Sequence, residues 1–158
     1  MTFEQAYERH VDAVFRFLLY RASTRELAED LTQVTFEKAL KAWPRYDPRK
    51  AAVLTWLLAI ARNTLIDEVR ADKGELPLIE EHAERLRHKD APRLGPSPDL
   101  AAALAGLGDR EREVLGLRFG ADLSGPEIAE VMDLSLANVQ QILSRTLRRL
   151  REELAPGD

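Results

Sequence analysis

The side chains best suited to reading another molecule lie in one stretch, LSGPEIAEVMDLSLANVQQILSRTLRRLREEL, residues 123–154. Asn138, Gln140, Gln141 and Ser144 carry amides and a hydroxyl, and Ala137 between them is small. Asn and Gln make paired hydrogen bonds to the adenine edge in the major groove, and Ser bonds to several bases. Arg145, Arg148, Arg149 and Arg151 follow, with no acid until Glu152. Guanidinium groups in such a row hold phosphates and fix register without reading sequence. Ser135 stands at the entrance to this row and is grouped with it. The competing interpretation is a solvated amphipathic helix whose cationic end complements the helix dipole.

These side chains need a scaffold, and the same stretch supplies one. Ser124 and Glu127 make a capping-box pattern, and Pro126 sits in the first turn, where its missing N–H costs nothing. Ile128, Ala129, Val131 and Met132 predict a short apolar face. Asp133-Leu134-Ser135 breaks it. Ser135 caps a longer helix whose apolar positions Val139, Ile142, Leu143, Thr146, Leu147 and Leu150 recur at three and four. A short helix, a tight turn and a longer helix is the layout of a helix-turn-helix, whose second helix enters the DNA major groove.

Composition narrows the remaining chemistry. The 158 residues include no cysteine, which excludes disulfides, a thiolate nucleophile and zinc–cysteine sites. His82 and His88 lack partners at metal-ligand spacing, and His10 beside an apolar face suits a core or boundary role, so neither metal nor cofactor is expected. No phosphate-cradling glycine loop is present, and no catalytic residues are assigned. No apolar run approaches the ~18 residues of a membrane span, so no direct membrane insertion is expected. The opening MTFEQAYERH carries acids early, unlike a signal peptide. Net charge is −4, and residues 99–158 hold 7 bases against 11 acids, four of the bases falling at 145–151. A basic stripe on an acidic background implies weak DNA affinity alone, supplemented by a larger partner.

Upstream, the chain predicts three helices. Thr2 and Gln5 make a capping pattern for the first, to Tyr20, with Phe3, Tyr7, Val11, Val14 and Leu18 on one face. Ser23 with Glu26 opens the second, to about Trp43. Leu27, Leu31 and Val34, with Ala28, Thr35 and Ala39, form its inward stripe. Phe36, Leu40 and Trp43 form a second stripe, and a helix apolar on two faces touches two things. Glu26, Glu29, Asp30, Gln33 and Glu37 border that second stripe, as at a protein-docking surface. The loop PRYDPRK, residues 44–50, interleaves Tyr46 with three bases beside Trp43, a composition that stacks unpaired bases. A third helix runs from about Ala51 to Ala71, with Val53, Trp56, Leu57, Ile60, Ala61, Thr64 and Leu65 facing inward. Asn63, Asp67 and Arg70 share another face.

Four prolines, two glycines and mixed charge then mark a linker, in which a short helix near Ile79 to His88 is possible. Helices capped by Asp99 and Asp109 follow and should pack on the helix-turn-helix as a second small core. The fold expected is all-α: two small helical domains joined by a flexible linker, the C-terminal one a helix-turn-helix. The boundaries fall at 1–73, 74–98 and 99–158.

Two stretches in order now resemble one family. LAEDLTQVTFEKALKAW followed by TWLLAIARNTLIDEVR looks like region 2 of bacterial sigma factors, and LGDREREVLGLRFGADLSGPEIAEVMDLSLANVQQILSRTLRRLREEL looks like their region 4. The compact plan resembles the extracytoplasmic-function (ECF) sigma factors. The resemblance implies a protein that directs RNA polymerase core to promoter DNA in the cytoplasm, without catalysis of its own. It implies polymerase docking by Glu29, Asp30, Gln33 and Phe36. It implies capture of flipped minus-ten bases around Trp43, Tyr46 and Asn63, with Arg62 and Arg70 supporting the backbone. It implies minus-thirty-five recognition by Ser135, Ala137, Asn138, Gln140, Gln141, Ser144, Arg145, Arg148 and Arg149. An anti-sigma factor is the implied inhibitory partner. Gln140, Ile142 and Leu147 stand where members often carry bases, which shifts affinity further towards polymerase contacts. The alternative is a stand-alone helix-turn-helix regulator binding duplex DNA without polymerase.

Overall fold

Side chains at Thr2, Thr24, Ser124 and Ser135 cap four of the helix starts. The computed structural model describes residues 1–74 and 98–154. Helix α1 spans Phe3–Leu19, and its reciprocal Thr2/Gln5 capping box satisfies two backbone donors that the first turn leaves open. Helix α2 spans Arg25–Ala42. Its cap is Thr24, which accepts from the Leu27 N–H, rather than Ser23 one residue earlier. A 3-10 turn, Trp43–Arg45, carries the first proline, and α3 follows as Val53–Gly74. The stretch around Ile79 to His88, with both later histidines, lies outside the described residues.

Beyond the linker come α4 (Pro98–Ala105) and α5 (Asp109–Leu115). Pro98 and not Asp99 begins α4, and Gly108 takes the cap position of α5 without a side-chain bond. Asp109 instead accepts from Arg21 at 2.9 Å and Arg112 at 3.0 Å. The helix expected after Asp109 changes character at Gly116, where a π-helical turn, Gly116–Gly120, closes with Ala121 N–H donating to Gly116 O. Helix α6 (Gly125–Met132) keeps the Ser124/Glu127 box, and α7 (Leu136–Leu154) completes the helix-turn-helix. No strand occurs among the described residues.

The core runs through both halves of the sequence. Val14, Phe17 and Leu18 of α1, Leu57, Leu58 and Ala61 of α3, Val114 and Leu117, Ile128 of α6 and Val139 of α7 form one buried apolar cluster. A smaller cluster joins Ala103, Leu104, Leu107, Leu115 and Leu150, the second core that the sequence predicts. The two sequence units are therefore packed on each other, with α1 against the π turn and α3 against α6.

Val14 and Leu18 of α1, and Ala28, Leu31, Thr35 and Ala39 of α2, are buried as expected, and each stripe has one departure. Tyr7 stands at the surface of α1 while Phe17, four residues after Ala13, is fully buried. On α2, Val34 is exposed, and Thr32 and Phe36 are buried in its stead. Thr32 and Thr35 tolerate burial because their hydroxyls donate at 2.7 Å to the carbonyls of Ala28 and Leu31, four residues back. Thr35 belongs to the expected stripe, and Thr32 is the buried threonine that the periodicity left out.

Candidate protein and nucleic-acid interfaces

Between α1 and α2 lies an open groove of about 660 Å³. Phe36 forms its floor: the residue is 5% exposed, with its ring edge-on to Tyr7 at 4.9 Å and to Phe3 at 6.4 Å. Phe36 is thus not an exposed stripe residue but the base of a depression. Leu40 and Tyr7 are the exposed apolar groups along the walls. Glu29, Gln33 and Glu37 line the same groove, and Asp30 stands exposed next to Glu29 on α2. Gln33 donates to Glu37 at 3.3 Å and Glu29 accepts from Arg25 at 3.0 Å. Tyr7 was missed from sequence as a surface group, since the groove exists only once α1 lies beside α2.

At the far end of α2, Trp43, Tyr46 and Trp56 assemble. Trp43 and Tyr46 stack with centroids 5.3 Å apart, Tyr46 meets Trp56 at 4.8 Å, and Trp56 meets Trp43 edge-on at 5.9 Å. The Tyr46 hydroxyl donates to the Ala51 carbonyl at 2.7 Å, closing the loop on itself. Burial, and secondarily the charge of Asp47, pushes this phenol above its ordinary pKa, so it stays a neutral donor. Trp56 is the member that sequence reasoning assigned only to the core. Asn63 lies two turns along α3 from Trp56 on the same face, and is exposed, as is Arg70 one heptad further on. Arg62 is directed elsewhere: its Nε donates to Glu113 of α5 at 2.8 Å.

The outer face of α7 is open. Ser135, Ala137, Gln140, Gln141, Ser144, Arg145 and Arg148 are exposed, and Asn138 is half-buried. Ser135 accepts from the Asn138 N–H at 3.1 Å, so its hydroxyl caps the helix as well as standing at its entrance. Asp133 ends α6 in the left-handed conformation, φ 55 and ψ 49, which makes the turn tight enough to set the two helices across each other. Arg149 differs from its neighbours. Its Nη2 donates to the Gly106 carbonyl at 3.1 Å and its Nε to Glu153 at 3.3 Å, so it ties α7 to the end of α4.

Among the described residues no three His, Cys, Asp or Glu side chains gather as a metal site. His10 is half-buried on α1, and burial together with Arg9 holds its imidazole below the usual histidine pKa. No helix among the described residues is long and apolar enough to cross a membrane.

Comparison with known proteins decides what these surfaces belong to. The Sigma-70 region 2 family model matches residues 6–75, and the Sigma-70 region 4 model matches residues 103–152. The chain is 33% identical over 155 residues to the ECF RNA polymerase sigma factor SigM of Bacillus subtilis (strain 168), covering 96% of this chain and 94% of that one. The chain belongs to the ECF sigma factors. RNA polymerase sigma factor YlaC of the same strain is 31% identical over 158 residues, covering 96% of this chain and 91% of YlaC. The fold agrees with CnrH, solved in complex with the cytosolic domain of CnrY (TM-score 0.70, 25% identity, 96% of this chain and 86% of that). It agrees also with RpoE of Bartonella quintana, solved with the anti-sigma factor NepR (TM-score 0.75, 22% identity, 99% and 98%).

As an ECF sigma factor the chain directs RNA polymerase to promoters. Region 2 occupies α1 to α3 and region 4 occupies α4 to α7. A stand-alone regulator using only the helix-turn-helix is set aside, because region 2 accounts for the groove and the aromatic cluster that such a regulator would not need. Sigma factors are in general not enzymes.

Proposed function

We propose that the α1/α2 groove docks RNA polymerase core, with Phe36 as its floor and Glu29, Asp30 and Gln33 along α2 as polar contacts. The Trp43/Tyr46 cluster, with Asn63, Arg62 and Arg70 on α3, receives the minus-ten element. The α7 face from Ser135 to Arg148 reads the minus-thirty-five element, Arg149 serving partly as its anchor to α4. The units divide near 1–73, 74–98 and 99–158. One observation carries the assignment: separate elements of one fold present an apolar groove with an acidic border and a face of amides, hydroxyls and guanidinium groups. The first is chemistry for a protein, the second for a duplex.

Capture of a flipped base costs a few kcal/mol of unstacking, which aromatic stacking of about 1–3 kcal/mol per base offsets. Trp43 and Tyr46 already stack on one another, so an incoming base would extend or replace that contact. The sigma factor itself performs no catalysis and works in the cytoplasm, where the polymerase carries out nucleotidyl transfer. An inhibitory protein partner, an anti-sigma factor, is part of the same proposal; the similar CnrH was solved with the cytosolic domain of CnrY bound.

Gln33→Ala combined with Leu40→Asp tests the docking surface, since both residues are exposed and their loss leaves the core intact. Capture of core polymerase by the immobilised variant should fall below detection while its circular dichroism and Tm match wild type. Capture at the wild-type level would remove the groove from the polymerase interface.

A further inference from the structure

Three rings hold Trp43, and they come from three separate parts of the chain. The indole opens the 3-10 turn at the end of α2, with Pro44 directly after it and no side chain capping the turn. It is half-buried, and the last turn of a helix frays, so α2 by itself does not fix the direction of the ring. Tyr46 of the following loop lies nearly parallel to it, at 19° and 5.3 Å. Trp56, in the first turn of α3, meets it at 60° and 5.9 Å. The third ring is Phe3, in the first turn of α1, at 72° and 5.8 Å.

Phe3 differs from the other two. Tyr46 holds the parallel-stacking place that a base would extend or take over, and Trp56 leans on Tyr46 at 4.8 Å, so both are tied to the loop. Phe3 belongs to another helix, and its edge-to-face contact leaves the parallel place open. Among the described residues it is the one ring that meets both Trp43 and Phe36, the floor of the α1/α2 groove. Its own position is set by the start of α1. Thr2 Oγ1 accepts from the Gln5 N–H at 3.2 Å, and Gln5 Oε1 accepts from the Thr2 N–H at 2.9 Å. The Thr2 carbonyl accepts from the N–H of Ala6, which is buried, at 3.0 Å. Phe3 is the first residue inside this capping box, in the turn that is most exposed to fraying without it.

We propose that Phe3 is a positioning residue for minus-ten capture: from the first turn of α1 it holds Trp43 in the orientation that receives a flipped base, and the Thr2/Gln5 box holds Phe3. The capture half of this statement rests on the assignment of Trp43 to the minus-ten element; the placement of Trp43 by Phe3 does not. When a base takes the place of Tyr46 on the indole, the Phe3 contact stays. A platform that stands in the receiving orientation only part of the time binds more weakly by that fraction. The worth of one aromatic pair shifts such an equilibrium about 2-fold to about 13-fold.

The chain has two tryptophans, so 5-fluorotryptophan gives two fluorine resonances in the full protein, assigned with Trp56→Phe. Phe3→Leu removes the ring and keeps an apolar side chain, and Thr2→Ala removes the cap and leaves every ring present. In the free chain both should shift and broaden the Trp43 resonance. Loss of the Phe3 ring current moves that resonance by itself, so Thr2→Ala is the deciding variant, and a Trp43 resonance that it leaves unmoved would overturn the proposal. The second arm uses sigma factor saturating over core polymerase and a pool of single DNA strands randomised across the minus-ten element. Capture of the pool should fall about 2-fold to about 13-fold in Phe3→Leu. On a Trp43→Ala background the same substitution should cause no further loss, whereas a general loss of structure would add to it. Additive losses, or capture at the wild-type level by Phe3→Leu, would also overturn the positioning role. If wild-type holoenzyme captures no strand of the pool, the minus-ten assignment fails, and the fluorine spectra of the free chain still decide whether Phe3 places Trp43.

Discussion

Asp133 holds the turn of the helix-turn-helix in a backbone conformation that costs an L-residue about 1–2 kcal/mol, less for Asp or Asn because their short side chains bond locally. Among the described residues Asp122, at φ 59, is the other non-glycine at positive φ, and it stands just before the same motif. Both mark where the chain must reverse quickly to bring α6 against α7. Asp133→Val should lower unfolding free energy by about 1–2 kcal/mol, and Asp133→Gly should leave it within about 0.5 kcal/mol of wild type, by urea titration. Equal effects from the two would place the cost in a lost aspartate contact and not in the backbone. The turn residues Asp133-Leu134-Ser135 were legible as a break in the apolar pattern. The left-handed angle was not, since aspartate is common in ordinary turns as well.

At the scale of the element, α7 separates three duties along one amphipathic helix. Val139, Ile142, Thr146 and Leu150 are buried, Gln141 and Ser144 face outward, and the arginines crowd the C-terminal turns. The spacing predicts this division, because on a helix position in sequence fixes direction around the axis. It does not distinguish Arg148 from Arg149. Arg148→Ala in the polymerase holoenzyme should weaken promoters roughly uniformly and lower the salt slope by about 1. Gln141→Ala should cost about 1–3 kcal/mol and relax preference at one base pair. Arg149→Ala should in addition lower Tm, since it leaves the Gly106 carbonyl without its guanidinium partner. Binding to a matched set of single-base promoter variants at several salt concentrations separates the three. The same limit applies to α2, where an acidic edge and a second apolar stripe were visible but Phe36 was not recognisable as a floor. Its depth depends on Phe3 and Tyr7, which belong to another helix.

For the whole molecule, the decisive feature is a core shared by regions 2 and 4. Phe17, Leu57, Ile128 and Val139 lie in one cluster although they span most of the chain. Burying side chains of this kind is worth about 1.5–3 kcal/mol each, so apolar packing holds the two regions together beside the ion pairs to Glu113. The chain should therefore unfold in one cooperative calorimetric transition, and Gly120→Val should split it into two by uncoupling the halves. A single transition in that variant, at the wild-type temperature, would mean the glycine contact is incidental to the packing. The net charge of −4 means that the basic row on α7 stands on an acidic background and not on a broad basic surface.

The sequence alone determined the helices to within a residue or two, the caps at Thr2, Ser124 and Ser135, the helix-turn-helix and the membership of two sigma regions. Each of these rests on neighbours three or four residues apart, and such relations survive in any tertiary arrangement. Only the folded chain decided that Trp56 joins Trp43 and Tyr46, that Phe36 lies beneath Tyr7, and that Arg62 turns to Glu113 across 51 positions. Those pairings depend on which helix faces lie against each other. That choice is made by the packing of the whole core and by two glycines, which let backbones approach where any side chain would hold them apart.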